Sequence, residues 1–271
     1  MSTSVSEPDR PKGETQRLRK TERRQQILLE LKLRPHVRIA DLAERFNVST
    51  ETVRRDFDAL ADDGLVSRAH GGATAPGPGH YPGLDERKHA RTAEREAIGR
   101  RAAALVQDGE TLMVDSGSTT IQFARALAMR GTACTVITNS IPVAMTLAPG
   151  PQQILMCPGE YLVAESAVVG ADTLDYLGRF NVDHCMIGAT GLTEEGPSET
   201  VRGFAAVKRA MLTRAANRHL LLDAQKFGRK GLSRVGMPGD IDSLVCDSAP
   251  DVPLAKALAA QGVAVLLAGA R

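Results

Sequence analysis

The chain has 271 residues and a mass of 28.9 kDa, with 42% apolar residues, 24% charged residues, 3% aromatics, no tryptophan and a net charge of +2. That balance excludes wholesale disorder, a collagen-like repeat and a disulfide-stapled miniprotein, and the length suits one large domain or two smaller ones. The net charge predicts no polyanion partner for the chain as a whole, yet ten Lys/Arg stand against three acids between Arg10 and Arg38, whereas residues 74–271 carry twenty of each sign. Cys134, Cys157, Cys185 and Cys246 are widely spaced in apolar stretches, as expected of reduced, buried thiols rather than a metal knuckle. The N-terminus lacks the apolar core of a signal peptide and no run of about 18 apolar residues exists, so no membrane partner is expected and the cytoplasm is the expected compartment.

In chain order, residues 1–20 are polar, with Pro8, Pro11 and Gly13, and read as a disordered tail. Residues 21–73 show helical spacing three times: Ile27, Leu28 and Leu31; Ile39, Leu42, Ala43 and Phe46; and Val53, Phe57 and Leu60. Asn47-Val48-Ser49 predicts a tight turn, with Ser49 capping the third helix, Glu51 in its first turn and Gly64 at its end. Leu65 to Gly72 then reads as a short β-hairpin. Three short helices followed by a β-wing predict a winged helix-turn-helix. With Val53 toward the core, at about 100° per residue the third helix turns Thr50, Glu51, Thr52, Arg54 and Arg55 outward, toward a major groove. Arginine reads guanine or phosphate, and threonine reads phosphate or a thymine methyl. Arg68 and His70 on the wing would reach an adjacent groove or backbone. The bland alternative is that Arg55 is a surface arginine paired with Asp56 or Asp58. Those acids, with Asp62 and Asp63, argue against a purely electrostatic, non-specific DNA binder.

Residues 74–83, TAPGPGHYPG, are a linker by composition. In residues 84–271, Ile98, Ala102, Leu105 and Val106 predict a lead-in helix. Seven apolar strand-like runs follow, at 111–114, 134–137, 154–157, 185–187, 219–222, 244–246 and 263–267. Helical stretches lie at 119–129, 205–216 and 253–261. Short continuous apolar strands alternating with helices predict a parallel sheet covered on both faces, a Rossmann-like α/β domain. Ligands of such sheets sit at the carboxyl ends of strands. Those ends read Asp115-Ser116-Gly117-Ser118-Thr119-Thr120, Thr138-Asn139-Ser140, Gly188-Ala-Thr-Gly191, Asp223-Ala-Gln-Lys226 and Asp247. In the loop 115–120, Gly117 admits close backbone approach, three hydroxyls can donate, and a helix begins at once; free N–H groups and the macrodipole there suit a phosphate. Lys226 would add a cation. His184 and His219 lack partners at metal-ligand spacing, so no metal is expected.

From residue 21 onward the chain resembles the DeoR family of bacterial transcriptional regulators. In the DNA-binding half the resemblance rests on Ile39 to Ser49, Thr52-Val-Arg-Arg-Asp56, Leu60, Gly64-Leu65 and Arg68-Ala-His70-Gly-Gly-Ala73. In the other half it rests on Asp115 to Thr120, Thr138-Asn139, Gly170, Asp183, Gly188, Val207-Lys208-Arg209-Ala-Met211 and Leu222 to Gly228. The resemblance implies a sensor domain similar in fold to ribose-5-phosphate isomerase. It also implies a phosphorylated sugar seated on Ser116 to Thr120, with Asp115, Thr138, Asn139, Lys208 and Lys226 near it. Three departures stand out: Ser118 for a usual threonine, Cys157-Pro158-Gly159 for a Gly-Gly, and Phe204 where an acid is expected near Lys208.

The expected function is therefore a DNA-binding regulator, a repressor of carbohydrate metabolism genes. It would bind operator duplex as a homo-oligomer, dimer or tetramer, and respond to a phosphorylated sugar, with no cofactor and no catalytic residue. The rival reading is a sugar-phosphate isomerase fused to a DNA-binding module, with Asp115, Asp183, Asp223 or Glu199 as base. Against it, the Asp-Gly-Ala-Asp pattern of ribose-5-phosphate isomerase is absent, and the comparable stretch reads Gly188-Ala-Thr-Gly191.

Overall fold

The computed structural model of the chain describes residues 19–34, 36–62, 66–69, 71–74, 84 and 91–269. Two compact units divide between residues 80 and 81. The first holds α1 (Lys20–Leu33), β1 (His36–Arg38), α2 (Ile39–Arg45), α3 (Thr50–Asp62), β2 (Ser67–Ala69) and β3 (Gly72–Thr74). The expected apolar faces meet in one core: Ile27 and Leu31 of α1, Leu42 and Ala43 of α2, and Val53, Phe57 and Leu60 of α3 are all buried. Asn47, at φ 51°, makes the turn before α3, a left-handed conformation asparagine tolerates better than most residues. Ser49 Oγ accepts the Thr52 N–H at 3.2 Å and caps the helix as expected. The wing has three strands, in the antiparallel order β1-β3-β2. β1 was not expected, because three residues with one buried side chain, Val37, give no periodicity to read. β3 runs to Thr74; the rest of the expected linker, residues 1–18 of the expected tail and Gly64 lie outside the described residues.

The second unit contains α4 (Thr92–Ala103), β4 (Thr111–Val114), α5 (Ser118–Arg130), β5 (Thr135–Thr138), α6 (Ile141–Leu147), β6 (Gln153–Met156), β7 (Glu160–Leu162), β8 (Ala167–Val169), α7 (Ala171–Leu177), β9 (Val182–Ile187), β10 (Gly191–Thr193), β11 (Gly196–Glu199), α8 (Arg202–Arg214), β12 (Ala215–Leu221), β13 (Ser233–Arg234), β14 (Ser243–Cys246), α9 (Val252–Ala260) and β15 (Ala264–Leu267). The seven expected strands form one parallel sheet, in the order β15-β14-β12-β9-β4-β5-β6. Successive strand residues enter opposite cores. Leu112, Val114, Val136, Met186, Leu221 and Val245 pack with α4, α5 and α6. Met113, Ile137, Cys185, Ile187, Leu220 and Leu244 pack with α7, α8 and α9. Burial on both faces is why these strands read as continuous apolar runs. α4 and α5 cross so closely that a Cβ on Gly99 would lie 2.6 Å from the Gln122 carbonyl carbon. Two small antiparallel elements, β7-β8 and β10-β11-β13, stand outside the main sheet.

Near the amino ends of the central strands a buried polar line crosses the sheet. Glu110 meets His184 Nε2 at 3.2 Å, His184 Nδ1 and His219 Nε2 share a hydrogen bond of 2.9 Å, and His219 Nδ1 bonds Ser243 Oγ at 2.7 Å. Each histidine is the other's partner, which spacing in sequence did not reveal. Burial first, and the neighbouring His184 second, depress the His219 pKa to about 4. Among the described residues no helix is long and apolar enough to cross a membrane.

Candidate DNA-reading face and candidate effector pocket

α3 is tied to α1 through Asp56. That buried carboxylate bonds Arg23 Nε through one oxygen and Arg24 Nε at 3.1 Å through the other. Asp56 is therefore an anchor and not a surface partner of Arg55. With Val53 and Asp56 inward, Thr50, Glu51, Arg54 and Arg55 are exposed and Thr52 is half-buried. Glu51 pairs with both arginines, at 3.3 Å to Arg54 Nη1 and 3.3 Å to Arg55 Nε. On the wing, exposed Arg68 pairs with Asp58 of α3. His70 lies outside the described residues. All six described members of the expected reading set thus stand on α3 or the wing strand that follows it.

The pocket is built at the carboxyl ends of β4, β9 and β11. The loop after β4 contributes Ser116 to Thr120, and α5 begins at Ser118, which points the helix's free N–H groups at the cavity. Ser116 Oγ is buried without a hydrogen-bond partner among the described residues. Thr120 Oγ1 donates back to the carbonyls of Asp115 and Gly117, 3.0 Å from each, so it braces the loop and is not turned to a ligand. Lys226, on the 3-10 turn Ala224–Lys226, donates from Nζ to Ala189 O in the opposite wall at 2.8 Å. The space enclosed is about 20 Å³, room for roughly one water molecule.

Behind the loop lies a buried ionic trio. Lys208 Nζ is 3.0 Å from Asp115 Oδ2 and 2.9 Å from Glu199 Oε2. Burial pushes the Asp115 carboxyl up to about 6 against the pull of Lys208 and the Gly188 N–H. Burial would raise Glu199 as well, but Lys208 and hydrogen bonds from Thr190 and the Thr200 N–H outweigh it and hold its pKa at about 2. Burial would lower the Lys208 pKa, and the two carboxylates raise it instead. Phe204 lines the cavity one turn before Lys208, its ring centroid 5.3 Å from the ammonium.

Of the expected effector set, Ser116, Gly117, Ser118, Thr119, Thr120, Lys208 and Lys226 line the cavity, and three residues do not. Asp115 stands behind the loop, facing Lys208 and the Gly188 N–H. Thr138 Oγ1 donates to Val114 O at 2.7 Å and accepts the Ser140 N–H, joining the ends of β4 and β5. Asn139 Nδ2 donates to Val168 O, docking β8. Their hydroxyl and amide are used by the backbone, which adjacency to a strand end does not foretell. Conversely, Glu165, Glu199 and Phe204 line the cavity. Glu165 comes from the turn Val163–Glu165 between β7 and β8, which carries no motif.

Residues 90–248 match the family described as the DeoR C terminal sensor domain, and residues 23–78 the DeoR-like helix-turn-helix domain. The glycerol-3-phosphate regulon repressor of Escherichia coli (strain K12) is 30% identical over 243 residues, 89% of this chain and 96% of that one. The lactose phosphotransferase system repressor of Lactococcus lactis subsp. lactis is 29% identical over 236 residues, 85% of this chain and 92% of that one. Among solved structures, ribose 5-phosphate isomerase A from Methanocaldococcus jannaschii is similar at TM-score 0.39 and 18% identity, covering 51% of this chain and 55% of that one. The translation initiation factor eIF-2B of Pyrococcus horikoshii OT3 is similar at TM-score 0.42 and 14% identity, covering 78% and 74%.

Proposed function

The chain belongs to the DeoR family of DNA-binding transcriptional regulators, and on that premise we propose that it represses carbohydrate genes until a phosphorylated sugar enters the sensor domain. In this reading Thr50, Glu51, Thr52, Arg54, Arg55, Arg68 and His70 read operator DNA. The phosphate sits on the loop Ser116 to Thr119, with Lys226 as its cation. Asp115, Thr120, Thr138, Asn139 and Lys208 hold the walls. The observation that carries the effector half is the buried Ser116 Oγ, without a partner among the described residues, at the amino end of α5 in the cavity that Lys226 also lines. A hydroxyl left without a partner in a buried place is unfavourable until something supplies an acceptor. Relatives named for glycerol 3-phosphate and for a lactose phosphotransferase system support the same class of effector.

The protein works in the cytoplasm, where its DNA is, and as a homo-oligomer, because one helix with a handful of reading residues gives little sequence selectivity alone. It catalyses no reaction. Asp183 accepts from the Thr111 N–H and hydroxyl near the amino end of β9, at the other end of the strand from Gly188. Asp223 faces Arg91 and Arg95. Asp115 and Glu199 are both held by Lys208, so none of the four candidate bases is poised over a substrate carbon.

Thermal unfolding against inorganic phosphate, glycerol 3-phosphate and hexose 6-phosphates, each beside its unphosphorylated parent, tests this reading. A ligand that binds only the native state raises the melting temperature with concentration. The expected result is a rise with one phosphorylated compound, none with its parent, and loss of that rise in Lys226→Ala. A rise with the parent sugar alone would overturn the phosphate assignment. Turnover of ribose 5-phosphate would overturn the absence of catalysis.

A further inference from the structure

A second buried ionic cluster lies next to the pocket but outside it. Arg91 precedes α4 with φ 48°, in the left-handed region that non-glycine residues enter rarely and at a cost. Its Nη2 is 2.7 Å from Asp247 Oδ2 and its Nε 3.6 Å from Asp223 Oδ1, while Arg95 Nε, one turn on, is 3.5 Å from Asp223 Oδ2. The other oxygen of Asp247 accepts the Ala224 N–H at 2.7 Å. Ala224 opens the three-residue turn that ends at Lys226, the cation of the cavity. An unbroken run of polar contacts therefore leads from the Ala189 carbonyl in the cavity wall through Lys226, its turn and Asp247 to Arg91. Arg91 immediately precedes α4, on the side of the sequence that leads from the DNA-binding unit.

We propose that the Arg91–Asp247 bridge carries the effector signal out of the pocket; this rests on the effector reading above. A cavity of about 20 Å³ is too small for a sugar phosphate, so some wall must move. The loop Ser116 to Thr120 and the side chains of Phe204 and Lys208 are buried, whereas the turn Ala224–Lys226 is half-exposed and hydrogen-bonded through the Ala224 N–H and the Lys226 ammonium. When Lys226 leaves Ala189 O for a phosphate oxygen, the turn shifts and pulls the Ala224 N–H against Asp247. Asp247 cannot follow without loosening Arg91. With that bond lost, Arg91 is held less firmly in its left-handed conformation at the start of α4. The two states are a bridge closed over an empty cavity and a bridge open over a filled one, and an effector acts only through its preference for the second. A cluster that merely stapled α4 to the sheet would carry no such preference.

The full-length chain, Asp247→Asn and Arg91→Gln are compared, with inorganic phosphate and glycerol 3-phosphate as probes. Melting shift reads binding, and fluorescence anisotropy reads affinity for a duplex selected by the wild-type chain from a random pool. In the wild type, saturating probe is expected to weaken DNA binding about tenfold or more, within the usual range of coupling between sites. Both variants are expected to keep the melting shift while the change in DNA affinity falls to about twofold or less. Variants that keep the full change overturn the proposal, as do variants that lose the melting shift. Should Asp247→Asn fail to fold, Arg91→Gln decides alone. A wild-type melting shift with no change in DNA affinity overturns the bridge but not the pocket. No shift with either probe overturns the pocket reading and the bridge with it.

Discussion

On α3 the Glu51 carboxylate meets two arginines across 3.3 Å, and all three side chains are more than half exposed; behind the pocket Glu199 meets Lys208 at 2.9 Å, and neither side chain is more than 6% exposed. Both are contacts between a glutamate and a cation, and the consequences are opposite. Exposed pairs on a helix contribute a few tenths of a kcal/mol and exchange partners freely. Arg54 and Arg55 can therefore leave Glu51 for another anion at little loss. In the buried trio, desolvation is large and is offset only while every partner stays in place. In the proposed reading one site is an exposed face whose cations can change partners, and the other is a small pocket whose charges are already committed to one another.

The comparison is broken most directly at Lys208. Lys208→Met leaves Asp115 and Glu199 buried without their cation and should destabilise the fold by about 3–5 kcal/mol in urea titration; a loss below about 1 kcal/mol would mean the trio behaves like a surface pair. Next is pH. His219 has a folded pKa of about 4, below the ordinary histidine value of 6.5. Its neutral form is favoured by folding, so this contribution is fully present above pH 6.5 and is lost as pH falls through 4. The window follows from the unfolded state binding the proton first. The term amounts to up to ~3 kcal/mol, and His219→Gln should flatten stability between those two pH values. On the reading face, Arg55→Ala should weaken operator binding by roughly 1–3 kcal/mol while leaving the urea midpoint unchanged. Equal loss on random duplex would make Arg55 a phosphate contact alone. Smallest of all, Glu51→Gln should change stability by no more than about 0.5 kcal/mol, while a clear gain in affinity for any duplex would show that Glu51 restrains the arginines.

How far the sequence could be read follows the same division. Val53, Phe57 and Leu60 announce α3 because a surface helix must show its buried stripe at regular spacing, and the outward residues follow by geometry. The seven parallel strands announce themselves because burial on both faces forces unbroken apolar runs. β1, β7, β8 and the β10-β11-β13 sheet were not legible. Each is two to four residues long, and Gly196-Pro-Ser-Glu199 has no strand character of its own; pairing with distant partners makes them strands. In the pocket the loop Ser116 to Thr119 was legible as a strand-to-helix loop at the end of β4. The commitment of Thr120, Thr138 and Asn139 to backbone groups was not, nor was Glu165. Lys208 became visible through family resemblance only, since nothing in its neighbours along α8 foretells two carboxylates arriving from β4 and β11.

A chamber of about 20 Å³ also sets the tempo of response. On the proposed effector reading, a ligand needs a wider cavity than this one, and the measured affinity is the intrinsic one scaled by the fraction of time the wider form is populated. If that fraction is about 1%, a hundredfold of intrinsic affinity goes unseen in equilibrium titration. Rapid-mixing traces would then rise with ligand concentration and level off at the rate at which the cavity widens, a limit set by the protein and not by diffusion.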